Sequence, residues 1–179
     1  ISKTFTATLL ADNIVKGKMK VDDPISKYLP ASVKVPTYKG GGPPITLGPL
    51  SDHTSSMLRM PTNMPESDPT DPAADYTPEL MYAFLSSYEL PREVGSEYEY
   101  SNFAVGVLGQ IQALVAGTSY EEALTSVITS PLKMKETAIT LSPKMKENLA
   151  VGHSMGMPVN NWDLNAMQGA GGIRSSAHD

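Results

Sequence analysis

EYEYSNFAVGVLGQIQALVAG, residues 97–117, joins a polar turn to the longest apolar-periodic segment of the chain. Phe103, Ala104, Val107, Leu108, Ile111, Leu114 and Val115 recur at the three-and-four spacing of a buried helical face, and Gly117 supplies a stop. Gly106 and Gly109 lie inside this helix, where each costs about 1 kcal/mol relative to alanine. Their presence is explained if another helix packs closely on that side. Close packing would in turn hold the preceding turn, Tyr100-Ser101-Asn102, rigidly. Ser101 is the expected helix cap, which leaves a phenol and a carboxamide two residues apart to point outward. By itself the tripeptide has two readings: an amphipathic tyrosine at a helix start, or an acid–base group beside a substrate-holding amide.

The rest of the chain bears on that choice. Its 179 residues, 40% of them apolar, suffice for a real core. A net charge of −5 without any basic stripe argues against a general nucleic-acid or anionic-membrane binder. No apolar run approaches the roughly 20 residues of a membrane span. The absence of cysteine removes disulfides, thiolate chemistry and cysteine zinc sites. His53, His153 and His178 lack metal-ligand spacing and read as structural or surface groups.

At the other end, ISKTFTATLLADNIVKG reads as a helix closed by Gly17, with Lys3, Ala7, Leu10, Ala11 and Ile14 on one face and Asp12, Asn13 and Lys16 opposite. Lys3 on an apolar face is costly unless its ammonium is hydrogen-bonded, and partial desolvation is one way a lysine becomes a base. The alternative is a side chain snorkelling off the first turn. Ser2 falls on the polar side in this projection and is a poor nucleophile. The residue that would stack with Lys3 is the one three before it, ahead of Ile1.

Between these helices, residues 45–57 offer Leu47, Leu50 and Met57 as anchors of a short helix. The loop 61–78 contains five prolines, too many for a helix or central strand, and reads as an ordered rim over a pocket that Met57, Met60 and Met64 either line or merely back as core filling. Thr77-Pro78 opens a helix burying Leu80, Met81, Phe84, Leu85 and Tyr88; Ser119 with Glu122 forms a capping box; Ser142-Pro143 opens a further short helix. The glycines of residues 161–179 mark close backbone approach, and Ser176 with Asp179 resembles a helix start.

Taken together these segments resemble the serine β-lactamase and penicillin-binding-protein superfamily, in its class C β-lactamase and family VIII carboxylesterase branch. Residues 1–30 resemble that family's SxxK helix and its downstream segment, with Lys3 at the lysine position. ITLGPLSDHTSSM resembles its threonine-leucine-histidine-threonine-serine-glycine segment, with Ser56 where glycine is usual. YSNFAVGVLG matches its tyrosine-x-asparagine motif, placing Tyr100 and Asn102. SPLKMKETAIT resembles its PLGM segment, with Lys133 in place of the glycine, and GAGGIRSSAHD its return into the sheet.

The resemblance implies a helix-dominated fragment of the β-lactamase/transpeptidase-like α/β fold, with few short strands. Residues 1–179 would be the helical-domain portion of a single domain truncated at both ends, its nucleophilic serine just before Ile1. Such a piece is expected to associate when expressed alone and to lack acyl-transfer activity.

The implied activity is hydrolysis of β-lactam amides or carboxylic esters through an acyl-enzyme. Lys3 and Tyr100 would be catalytic, with Asn102 binding the substrate or holding the lysine. No metal or organic cofactor would be needed, the partner would be a small molecule, and the location would be the bacterial periplasm or outside the cell. Two other outcomes are a D-alanyl-D-alanine carboxypeptidase, and a non-catalytic binding protein that retains the scaffold.

Overall fold

The computed structural model describes residues 1–179. Helices dominate: α1 (Ser2–Val15), α2 (Leu47–Asp52), α3 (Pro78–Ser87), α4 (Asn102–Ala116), α5 (Tyr120–Leu124), α6 (Pro143–Glu147) and α7 (Gln168–Gly171), with one hairpin of β1 (Gly152–Ser154) and β2 (Met157–Val159). No single helix is long and apolar enough to cross a membrane.

Local chemistry sets most boundaries. Ser101 Oγ accepts the Ala104 N–H at 2.9 Å to start α4, and Gly117 ends it at φ 68°. Thr77 caps α3 ahead of Pro78, Ser119 and Glu122 complete a reciprocal capping box on α5, and Ser142 caps α6. After Leu124 the chain continues in a π-helical turn, Thr125–Thr129, before Pro131 blocks further helix. The hairpin closes on Met155 and Gly156, at φ 50° and 79°, the paired positive values of a tight two-residue turn.

α4 is the central element. Phe103, Ala104, Val107, Leu108 and Ile111 are fully buried in the main apolar cluster, where Phe103 meets the Phe84 ring edge-on at 5.0 Å. Leu114, placed on the buried face by periodicity, is 40% exposed, and Gln112 is buried instead, accepting from Asn13 Nδ2 at 2.7 Å. The last turn of α4 thus turns Leu114 outward while Ala113 stays buried and Val115 packs against the main cluster.

α1 also departs from its projection. Its buried stripe is Ser2, Thr6, Leu9 and Leu10, so Ser2 lies inside and not on a polar side. The stripe rotates because hydroxyls, and not only hydrocarbon, fill the interface. Thr6 Oγ1 donates to Gly169 O at 2.7 Å and shares a 2.6 Å bond with the Tyr120 hydroxyl, while Ser2 Oγ accepts the Ile173 N–H at 3.2 Å. Burial pushes the Tyr120 phenol up to about 12, so it stays a neutral donor.

The close partner of α4 is the single turn α7. A Cβ on Gly109 would stand 2.9 Å from Gly169 Cα, and one on Gly169 would stand 2.8 Å from Gly109 Cα. Two glycines therefore meet face to face, and the backbone of residues 169–170 is pressed between α1 and α4.

The loop 61–78 is ordered by its own bonds. Tyr76 is fully buried and its hydroxyl donates to Asn63 Oδ1, while Asn63 Nδ2 donates to Leu80 O. Farther along, Asp71 accepts the Asp163 N–H and Tyr76 O accepts the Ala166 N–H.

Candidate active site

The crossing of α1, α4 and α7 brings Lys3, Tyr100 and Asn102 together from opposite ends of the sequence. Lys3 Nζ donates to Asn102 Oδ1 at 2.8 Å and to Ala170 O at 2.7 Å, and stands 5.0 Å from the centroid of the Tyr100 ring. The ammonium is bonded and not frayed into solvent. Two of its three donors are spent, leaving one for a further acceptor. The Ala170 carbonyl is within reach only because Gly109 and Gly169 let the α7 backbone approach so closely.

The turn that carries Tyr100 and Asn102 is held at almost every backbone position. Asn102 N and Phe103 N donate to Arg59 O, Ser101 Oγ donates to Leu58 O at 2.6 Å, and Glu99 N donates to His53 O at 2.8 Å. Tyr100 itself is 37% exposed, so its phenol faces outward from a fixed backbone. Asn102 Nδ2 meets only the thioether of Met60, at 3.5 Å, a weak acceptor that a carbonyl oxygen would outcompete. Of the three methionines, Met60 alone reaches this group; Met57 is fully buried, and Met64 packs against the core from its edge. The acids beside the turn, Glu97 and Glu99, both pair with Arg92.

His53, a structural or surface group by its sequence context, is neither remote nor free. Its ring lies 4.6 Å from that of Tyr100 and meets Tyr98 edge-on at 5.8 Å, while Nδ1 accepts the Ser101 N–H at 3.2 Å. Partial burial, and then the charge of Lys3, push its basicity below the ordinary histidine value. Arg59 adds a second cation, its guanidinium 5.2 Å from the Tyr100 ring centroid. His53 stands at the histidine of the segment ITLGPLSDHTSSM that resembles the family's, whereas Arg59 has no sequence signature and is marked only by its position beside Tyr100. No group of three or more histidines and acids is placed to hold a metal ion.

Ser56 and Lys133, the two departures from family glycines, both adopt left-handed backbone, at φ 62° and 60°. Ser56 offsets the strain with its hydroxyl, which donates to Arg92 O at 2.9 Å and accepts from Arg92 N at 3.3 Å. The glycine-type turns persist without glycine.

A helix-dominated body with two short strands, in which a lysine, a tyrosine turn and an asparagine converge at one crossing, matches a fragment of the β-lactamase/transpeptidase-like fold. The family profile described as Beta-lactamase matches residues 1–179, and the chain belongs to that family. It is 35% identical over 180 residues to the D-alanyl-D-alanine-carboxypeptidase/endopeptidase AmpH of Escherichia coli (strain K12), covering 100% of this chain and 45% of that protein. It is 30% identical over 159 residues to a beta-lactamase of the same strain, covering 89% of this chain and 38% of that one.

Among solved structures, a beta-lactamase/D-alanine carboxypeptidase from Yersinia pestis complexed with citrate superposes with a TM-score of 0.85 at 29% identity, over 98% of this chain and 48% of the other. A class C beta lactamase from Rhodobacter sphaeroides gives 0.79 at 27% identity, over 99% and 47%. The chain thus spans about half the length of the relatives it matches.

Proposed function

We propose that the protein containing this chain is a serine hydrolase of the β-lactamase type, acting through an acyl-enzyme on β-lactam amides or carboxylic esters. The observation that carries this reading is the Lys3 ammonium, bonded to Asn102 Oδ1 at 2.8 Å and seated 5.0 Å from the Tyr100 ring centroid. Residues 1–179 are taken as the helical part of one catalytic domain, and the nucleophile as a serine in the position before Ile1, one helical turn from Lys3.

In this scheme one member of the Lys3–Tyr100 pair acts with a proton removed, as a free amine or a phenolate; the serine oxygen attacks the substrate carbonyl carbon and its proton passes to that base. The amide C–N or ester C–O bond then breaks, and Tyr100, part-exposed to solvent, delivers the proton to the leaving atom. Water adds to the acyl carbon, and the serine recovers its proton as the ester opens. Asn102 acts twice: Oδ1 anchors Lys3, and Nδ2 exchanges the Met60 thioether for a substrate carbonyl oxygen.

A second reading, a D-alanyl-D-alanine carboxypeptidase, is favoured by the 35% identity to AmpH. The full-length protein assayed with a chromogenic cephalosporin, an aryl ester and a D-alanyl-D-alanine peptide separates them: turnover of the first two supports hydrolysis of the β-lactamase type, and release of D-alanine alone supports the second reading. Inactivity on all three, with no covalent adduct by mass spectrometry, sinks both and leaves the non-catalytic binding protein.

A further inference from the structure

We infer that His53 is a positioning residue for Tyr100, holding the tyrosine turn in place as a neutral hydrogen-bond acceptor and releasing it when protonated; the inference rests on the hydrolase reading. His53 grips the turn at both sides of Tyr100. Its carbonyl accepts the Glu99 N–H at 2.8 Å and its ring Nδ1 accepts the Ser101 N–H at 3.2 Å. Between those two anchors the Tyr100 ring lies 4.6 Å from the imidazole. A backbone carbonyl at the second anchor would do the same work at any pH; an imidazole does it only while Nδ1 keeps its lone pair.

The backbone of His53 points the same way. It caps the C-terminus of α2 at φ 67°, a conformation that glycine adopts at less cost. A β-carbon is kept there, and the ring it carries is the part that reaches the turn.

Protonation has a definite consequence. The imidazolium has two donors and no acceptor, so the Ser101 N–H loses its partner and confronts an N–H. The charged groups that act on the ring are Lys3 from α1 and Asp52 from α2; Arg59 lies across the Tyr100 ring, and the carboxylate of Glu99 on the turn is paired with Arg92. Asp52 favours the imidazolium, but desolvation and Lys3 outweigh it, so the basicity of His53 lies below the ordinary histidine value. Lys3 would be repelled from the side on which it meets Tyr100. Tyr100 then shifts relative to the reacting atoms, and misplacement of that kind costs roughly 10²-fold in rate.

The test is the pH profile of kcat and KM for the full-length protein on a chromogenic cephalosporin, with His53→Gln and His53→Phe. Glutamine offers an acceptor oxygen that does not titrate; phenylalanine keeps the ring contact and removes the acceptor. We expect the wild type to lose kcat on an acid limb, His53→Gln to retain most of its kcat near neutrality and lose that limb, and His53→Phe to fall roughly 10- to 10²-fold in kcat at every pH. An unchanged acid limb in His53→Gln, or wild-type kcat in His53→Phe, overturns the proposal.

Should either variant fail to fold by circular dichroism, imidazole ¹⁵N shifts of the wild type decide. Titration of His53 at the midpoint of the acid limb supports the role, and titration more than about one pH unit away refutes it. A protein inactive at all pH values removes the hydrolase reading and this inference with it, whereas an active protein with an unaltered limb removes the inference alone.

Discussion

The crossing of α1, α4 and α7 and the β1–β2 hairpin are built on opposite terms. At the crossing, backbones touch through Gly109 and Gly169, hydroxyls from Thr6 and Tyr120 are paired inside, and Lys3 spans to the Asn102 side chain and the Ala170 carbonyl. In the hairpin, Met155 is fully exposed and Met157 is 68% exposed, and the two short strands hold one another by register alone. A site that must fix three side chains from distant parts of the chain needs contact on every side. A hairpin that buries nothing needs only its turn. The difference teaches where substitutions will be felt.

The most damaging change expected is Gly109→Val. The nearest atoms to the new side chain are the Gly169 backbone Cα and N, at 2.9 and 3.2 Å from its β-carbon, which cannot rotate away, so the variant should lose about 3 kcal/mol or more in urea unfolding. Wild-type stability would show that α7 can lift off α4 freely, and the contrast between crossing and hairpin would collapse. Next come Lys3→Ala and Tyr100→Phe in the full-length protein, each expected to lower kcat about 10²-fold or more with little change in melting temperature. Unaltered kcat in both would remove their assigned roles while leaving the packing at the crossing intact.

Lys133→Gly tests strain outside the crossing. The turn at φ 60° should welcome glycine and gain up to about 1 kcal/mol, part of it offset by the freer unfolded chain. A loss of stability would mean that the lysine side chain holds something its backbone does not reveal. Met155→Ser should be the quietest, within about 0.5 kcal/mol, because nothing packs on the side chain. A large effect in a melting curve would show that the hairpin is supported from a face that is bare in this structure.

Much of the scaffold is legible without coordinates. Serine and threonine caps, proline at first helical positions and glycine after the last turn act through bonds a few residues long, so Ser101, Thr77, Ser119, Ser142 and Gly117 can be read directly. The hairpin escapes such a reading because its turn is Met155-Gly156, lacking the asparagine or aspartate that usually advertises such a turn. The error in α1 has a different origin. A helical projection counts apolar side chains, and the buried stripe there includes Ser2 and Thr6, whose partners on residues 120, 169 and 173 no local rule could supply.

The same division runs through the candidate site. Lys3, Tyr100 and Asn102 stand out from the chain alone, by a lysine on a helix face that otherwise reads as apolar, a phenol and amide flanking a cap, and a family likeness spread along five segments. Sequence by itself therefore determined most of the helices, though not α7, together with the caps at Thr77, Ser101, Ser119 and Ser142, the family and which three residues to watch. Tertiary structure alone decided that Lys3 reaches Asn102 and not a solvated partner, that two glycines bring the Ala170 carbonyl within 2.7 Å of its amine, and that His53 stands against Tyr100. The physical reason is range: caps and turns are settled by neighbours in sequence, whereas a hydrogen bond across about 100 residues exists only once the packing of every intervening element has fixed where both ends lie.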